Sequence, residues 1–257
     1  MTRLAVGVVV TALLVAGCAG GEPVGSVGAS TPPGPAASAS LPPSTSLEPG
    51  TDEATRLESR LLEILDAPDL AYRFEQSADI TSDTATLHQS ATGEVAGPDL
   101  HITLTVTQGD QSTVSELAVL GGKTYQRDGT GPWSSTGSAG PGVSIVPTLD
   151  PVFQAGIVRY SGHEVHDGSV LQHLVVDGPV TLTDAFVGWL PSTATNGTLD
   201  SLDLYLEDDG RPADMQYKLT FDIQLDGTSD PVTLQGTYRQ TFADLGQDVT
   251  VAVQGLP

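Results

Sequence analysis

Residues 215–225 read MQYKLTFDIQL. Met215, Tyr217, Leu219, Phe221, Ile223 and Leu225 fall on one side of an extended chain, and Gln216, Lys218, Thr220, Asp222 and Gln224 fall on the other. Successive side chains of a strand point to opposite faces, so an alternation this regular specifies a strand with one apolar face. An ordinary core and a bound apolar cargo both ask for that pattern, and the rest of the chain has to say which of them lies against it.

The pattern recurs. Leu70, Tyr72, Phe74, Ala78 and Ile80 alternate with Arg73, Glu75, Ser77 and Asp79. Leu100, Ile102, Leu104 and Val106 alternate with His101, Thr103, Thr105 and Thr107, and Leu202, Leu204 and Leu206 with Asp203, Tyr205 and Glu207. Strands are expected near 70–80, 84–95, 99–108, 111–120, 123–127, 158–166, 169–177, 199–208, 212–225, 231–241 and 246–254. Turn signals separate them at Gly97-Pro98-Asp99, Gly109-Asp110, Asp128-Gly129, Asp167-Gly168, Asp208-Asp209-Gly210 and Asp226-Gly227, and connections this short make consecutive strands antiparallel neighbours.

Three helices are expected beside the strands. Thr51 or Asp52 caps one that runs to about Asp66, with Leu57, Leu61, Ile64 and Leu65 on one face and Ala67-Pro68 as its stop. A second lies near 148–158, with Leu149, Phe153 and Ile157 sharing a face, and a third near 181–190, with Leu182, Phe186, Trp189 and Leu190, ended by Pro191. The fold class is α+β, a large curved antiparallel sheet with a few short helices. About eight strands of ~10 residues present roughly 1,200 Å² of one sheet face, whereas three short helices shield only about 500 Å². Either the sheet curls onto its own side chains or it bends around a space that a ligand fills.

Composition narrows the partners. Ten Lys and Arg stand against 32 Asp and Glu, and a formal charge of −22 repels phosphate backbones and anionic headgroups, which excludes nucleic acid. The start of the chain, MTRLAVGVVVTALLVAGCAGG, carries a cation at Arg3, an apolar run from Leu4 to Ala16, and then small residues. The run is shorter than the roughly 20 residues that cross a bilayer, and residues 1–17 read as an export signal. Cys18 is the only cysteine, so no internal disulfide is available to it. Val15-Ala16-Gly17-Cys18 resembles the lipobox of bacterial lipoproteins, which implies cleavage before Cys18 and acylation of its sulfur and new amine, with palmitate among the usual acyl groups. Two or more acyl chains hold firmly at ~0.8 kcal/mol per buried methylene. Residues 18–50 are rich in Pro, Gly, Ser, Thr and Ala without periodicity. They are expected to be a disordered tether spanning roughly 30 Å, which leaves 51–257 as the folded domain.

Little points to catalysis. His163-Glu164-Val165-His166 has a metal-like spacing, but strand residues three apart face opposite ways. Glu207, Asp208 and Asp209, and Asp226 with Asp230, gather acids at turns, where solvation explains them more simply than calcium does. No G-x-S-x-G elbow, Walker loop or dinucleotide fingerprint occurs. Neither enzyme activity, a resident metal nor a cofactor is expected.

Three further stretches are LAVLGGKTYQRDGTGPW, ending in Trp133; RYSGHEVHDGSVLQHLVVDGPVTLTDAFVGWLP, a hairpin leading into a helix; and LDSLDLYLEDDGRPADMQYKLTF. With the lipobox, the tether and the first helix, their order resembles the actinobacterial LppX/LprG-type lipoproteins, relatives of the LolA-like carriers. The likeness covers roughly residues 52–257. It implies a half-open β-barrel with helices on its concave side, and a lipid or lipoglycan carrier, lipid-anchored on the outer face of the plasma membrane, with an exporter or envelope protein as a further partner. Carried over, Leu104, Val106, Leu117, Val119, Leu204, Leu206, Tyr217, Leu219, Phe221 and Ile223 line a lipid-binding cavity, while Phe153, Ile157, Phe186 and Trp189 form its helical lid. The segment SSTGSAGPGVS, 134–144, is small and polar where the entrance to an apolar pocket would carry bulkier groups. Two alternatives stand beside the carrier: an envelope interaction or sensor lipoprotein with a filled core, and an accessory subunit of an exported enzyme or transporter.

Overall fold

The structure is a computed structural model and describes residues 52–83, 85–138, 149–182, 194–224 and 230–256. Helix α1 (Asp52–Leu65) opens with Asp52 and Glu53, whose charges favour the positive end of the helix. Ala54, Leu57 and Leu61, one helical stripe, are fully buried. A short helix α2 (Asp150–Ala155) follows much later.

Eleven strands make one antiparallel sheet: β1 (Ala71–Thr81), β2 (Thr86–Ala96), β3 (Asp99–Gln108), β4 (Gln111–Leu120), β5 (Lys123–Asp128), β6 (Ser134–Ser138), β7 (Ile157–His166), β8 (Ser169–Thr181), β9 (Ala194–Leu206), β10 (Pro212–Ile223) and β11 (Val232–Ala243). The order is β6-β5-β4-β3-β2-β1-β11-β10-β9-β8-β7, so β6 and β7 are the edges and the sheet is open. It consists of two meanders joined where the first strand pairs with the last.

Directly opposed residues of antiparallel strands share a face. The register therefore carries one face across the sheet. One rung runs Met215, Gln240, Gln76, Ala91, Leu104 and Ser115, from β10 through β11, β1, β2 and β3 to β4. Leu204, Leu174 and Tyr160 extend it through β9 and β8 to β7. The helices pack on this side, the inner face, where Leu57, Leu61 and Val152 share a buried cluster with the strand leucines. Register shifts interrupt β7–β8, β8–β9 and β9–β10, but none interrupts β1–β2, β2–β3 or β3–β4. Bulges bend and twist a sheet, and three of the four interrupted pairings lie between β7 and β10, with the fourth at β5–β6.

Several expectations are corrected. Residues 246–254 form no strand, because β11 ends at Ala243 and both of its sides are already paired, with β1 and β10. The chain instead turns, with Gly246 N–H donating to Ala71 O and Gln254 O accepting from Trp133 Nε1 at 3.0 Å. Ser134–Ser138, small and polar, is nevertheless a strand, β6. Helix α2 is shorter than 148–158, since Gly156 is already extended (φ −92°, ψ 175°). A Cβ there would run into Val176 Cγ1 and lie 3.1 Å from Val152 O, so only glycine lets the chain turn this close to β8. The helix expected at 181–190, with its stop at Pro191, lies outside the described residues apart from Thr181, the last residue of β8, and Leu182, which is buried.

Candidate functional site

The inner face gathers two apolar clusters. Leu204, Leu206, Tyr217, Leu219, Phe221 and Ile223 lie in the first, with Phe153 of α2 and the buried stripe of α1. Leu104, Leu117 and Val119 lie in the second, with Tyr72, Phe74 and Ala91. Val106 is half-buried and packs against both, as do Leu65 at the end of α1 and Phe242. Ile157, expected on a helical lid, opens β7 instead and is 57% exposed. Phe186 and Trp189 lie outside the described residues.

Between the clusters the wall turns polar. Gln240 is opposite Gln76, and Gln89 lies on β2 opposite Ala78. Gln240 is 0% exposed, yet neither its Oε1 nor its Nε2 has a hydrogen-bond partner; Gln89 is 5% exposed and its Oε1 is equally unpartnered. Gln76 Nε2 reaches Tyr217 Oη only at 3.5 Å. Tyr217 and Tyr238 face each other across β10 and β11 with rings 4.7 Å apart and 5° from parallel. Burial pushes both phenols far above the usual tyrosine value, and for Tyr217 its neighbour Tyr238 adds to the shift. Sequence reading passed over the glutamines. The signal was present, because Leu234, Gly236, Tyr238, Gln240 and Phe242 share one side of β11 and only Gln240 is strongly polar.

The outer face is polar and ion-paired. His166 and His173 both stack on Tyr205, with ring centroids at 3.7 Å and 4.4 Å. His173 Nε2 lies 2.9 Å from Asp203 Oδ1, and its Nδ1 lies 3.1 Å from Glu164 Oε1 as an ion-pair contact outside good hydrogen-bond angles. Burial alone would lower the imidazole, but the two carboxylates outweigh it and hold His173 above the ordinary 6.5. Ligand atoms of His166, Asp167 and Asp214 lie within 4.8 Å of one another. Arg239 already supplies the positive charge there, with Nε 2.7 Å from Asp214 Oδ2 and a further bond to Asp167. His163 contacts a different acid, Asp208, at 3.5 Å, so the two histidines of the HEVH stretch do not converge. A hollow of about 250 Å³ opens where β8, β9 and β10 end, among Thr181, Leu182, Asn196, Thr198, Phe221 and Asp222.

The class defined so far is an open antiparallel sheet with helices on one face. No family model matches the chain, and no curated protein does. Solved structures similar to this chain include the lipoprotein LppX of Mycobacterium tuberculosis, at 14% identity, covering 79% of this chain and 100% of that one with a TM-score of 0.42. A LolA superfamily protein from Nitrosomonas europaea matches at 11% identity over 77% of this chain and 94% of that one, TM-score 0.29. An uncharacterized conserved protein from Thermus thermophilus matches at 8% identity over 80% and 98%, TM-score 0.36. The likenesses are distant, and the fold is read from the strand order itself.

Proposed function

We propose that the protein is an exported, lipid-anchored protein of the cell envelope that binds an amphiphile by enclosing its acyl chains against the inner face. What supports this reading is the extent of the apolar inner face beside the small area of the two described helices, although every wall residue named below that the structure describes, except Val106, is already buried. Eleven strands of about 10 residues present roughly 1,700 Å² of inner face. The two described helices, of 14 and 6 residues, shield about 300 Å². Aliphatic side chains make a smooth wall with no hydrogen-bond demands, and burial against it is favourable by ~25 cal/mol per Å² of apolar surface. Leu104, Val106, Leu117 and Val119 form one part of the binding wall, and Leu204, Leu206, Tyr217, Leu219, Phe221 and Ile223 the other, with Phe153 on its helical side; Phe186 and Trp189 lie outside the described residues. Ile157 is left out because it is exposed.

Acylated Cys18 is the anchor and residues 18–50 the tether, after removal of 1–17, which places the domain on the outer face of the plasma membrane. No helix among the described residues is long and apolar enough to cross a membrane. No catalytic role is assigned to any residue.

The test is solvent extraction and mass spectrometry of the chain expressed with Cys18→Ala. Near-stoichiometric co-purified lipid is the expected result. Protein that carries no lipid and also fails to take up a fluorescent fatty acid overturns the reading in favour of an interaction or sensor lipoprotein. The tight burial of both clusters already suits that alternative.

A further inference from the structure

The glutamines between the apolar clusters are the inner-face feature that enclosing plain hydrocarbon leaves unused. A buried carboxamide with no partner loses its hydration and gains nothing in exchange. Here that holds for both polar atoms of Gln240 and for Oε1 of Gln89. Chemically an apolar side chain would suit these positions, as Leu234, Leu219 and Leu104 suit theirs on the same face.

Their placement says what would satisfy them. Gln240 and Gln76 sit between Met215 of the first cluster and Ala91 of the second, on one rung of the sheet. Gln89 sits between Ala78 and Val106 on the next. Hydrocarbon walls therefore flank the amides on two sides. A carboxamide presents one acceptor and one donor group, and exchanging its oxygen and nitrogen leaves that requirement unchanged. An alkyl chain answers neither, and an ester carbonyl answers only the donor. A hydroxyl or a secondary amide answers both.

Resting on the acyl-chain reading above, we propose that Gln240, with Gln76 and Gln89, forms a recognition site for a hydrogen-bond donating and accepting group carried within a hydrocarbon ligand, as in a hydroxylated or amide-linked acyl chain. Leu65 packs against both clusters, so the last turn of α1 lies over their boundary. Gln240 is 0% exposed, so recognition requires that turn to move for a ligand to reach the amides.

The test uses the full chain carrying Cys18→Ala and titration calorimetry with two matched probes, stearate and 12-hydroxystearate. The expected result is about tenfold tighter binding of the hydroxylated chain, the size of one added hydrogen bond. Gln240→Leu should bring the two probes within about twofold of each other. Because it removes an amide that the chain leaves unpartnered, it should leave Tm unchanged or higher. Equal binding of both probes by the unsubstituted glutamine protein means that the amides hold a buried water only, which overturns the site while the acyl-chain reading stands. Binding of neither probe overturns both. A Gln240→Leu chain that fails to fold shows that the amide has partners in the protein, and overturns the site as well. Gln89→Leu supplies an independent measurement, expected to narrow the gap between probes in the same direction.

Discussion

At the scale of single residues, polar side chains decide more than the leucines do. His173 on β8 is held between Asp203 on β9 and Glu164 on β7, with the Tyr205 ring, which also stacks with His166, against it. Its imidazolium is favoured in the folded state, because the carboxylates outweigh burial. A group whose folded pKa is raised contributes stability that is fully present below its unfolded value of about 6.5 and lost as pH rises through the folded value. Thermal melts should therefore show the Tm of the unsubstituted protein falling from pH 6 to pH 8.5 by more than that of His173→Gln. The difference between the two curves isolates His173 from the other histidines, and parallel curves would remove it as a source of pH dependence. None of this was legible in the sequence, since the two acids come from different strands and meet His173 only through the β7–β8–β9 register. Gln240 was legible in principle as the polar break in the alternation of β11, but a pattern read for greasy positions passes over its exceptions.

At the scale of elements, regular periodicity was easy to read and irregular packing was not. Helix α1 was legible because its apolar stripe and the Ala67-Pro68 stop agree; Leu57 and Leu61 of that stripe are fully buried, and Ile64 and Leu65 half-buried. Strand β10 was legible for the same reason, down to Ile223. The stretch 246–254 carries an apolar alternation through Val249 and Val251, yet the neighbouring strand positions were taken, which is a property of the whole sheet and not of those residues. Val249 is nonetheless buried, and the tail returns to Trp133, whose ring also lies 4.7 Å from the Arg127 guanidinium. Ending the chain at Gly246 should therefore cost about 1–3 kcal/mol in urea melts, from the lost valine burial and two hydrogen bonds. In a Trp189→Phe background, Trp133 emission should shift to the red while far-UV circular dichroism keeps its strand signal. A truncated chain with unchanged Trp133 emission would show that the tail does not cover this ring.

At the scale of the whole molecule, the decisive pairing is the one between β1 and β11. The N-terminal meander of six strands and the C-terminal meander of five touch through it, and the first apolar cluster spans it, joining Ala78, Ile80 and Leu87 of β1 and β2 to the strands of the C-terminal meander. Phe74 faces Phe242 and Ala78 faces Tyr238 across that seam, so side chains as well as the backbone ladder join the halves. If the seam makes the halves one cooperative unit, a defect in either is felt in both. Leu204→Ala removes a side chain 1% exposed in the first cluster and should cost about 2–5 kcal/mol. Trp133 reports from the other meander, beside β5 and β6. In the Trp189→Phe background, the urea midpoint seen by Trp133 should fall with Leu204→Ala as far as the midpoint seen by circular dichroism. Leu104→Ala, in the second cluster, should likewise move both probes together. A Trp133 midpoint that stays in place when Leu204 is truncated would mean that the meanders unfold separately. A ligand lying across their boundary would then be held between two independent bodies, and its binding would have to raise the stability of each by a different amount.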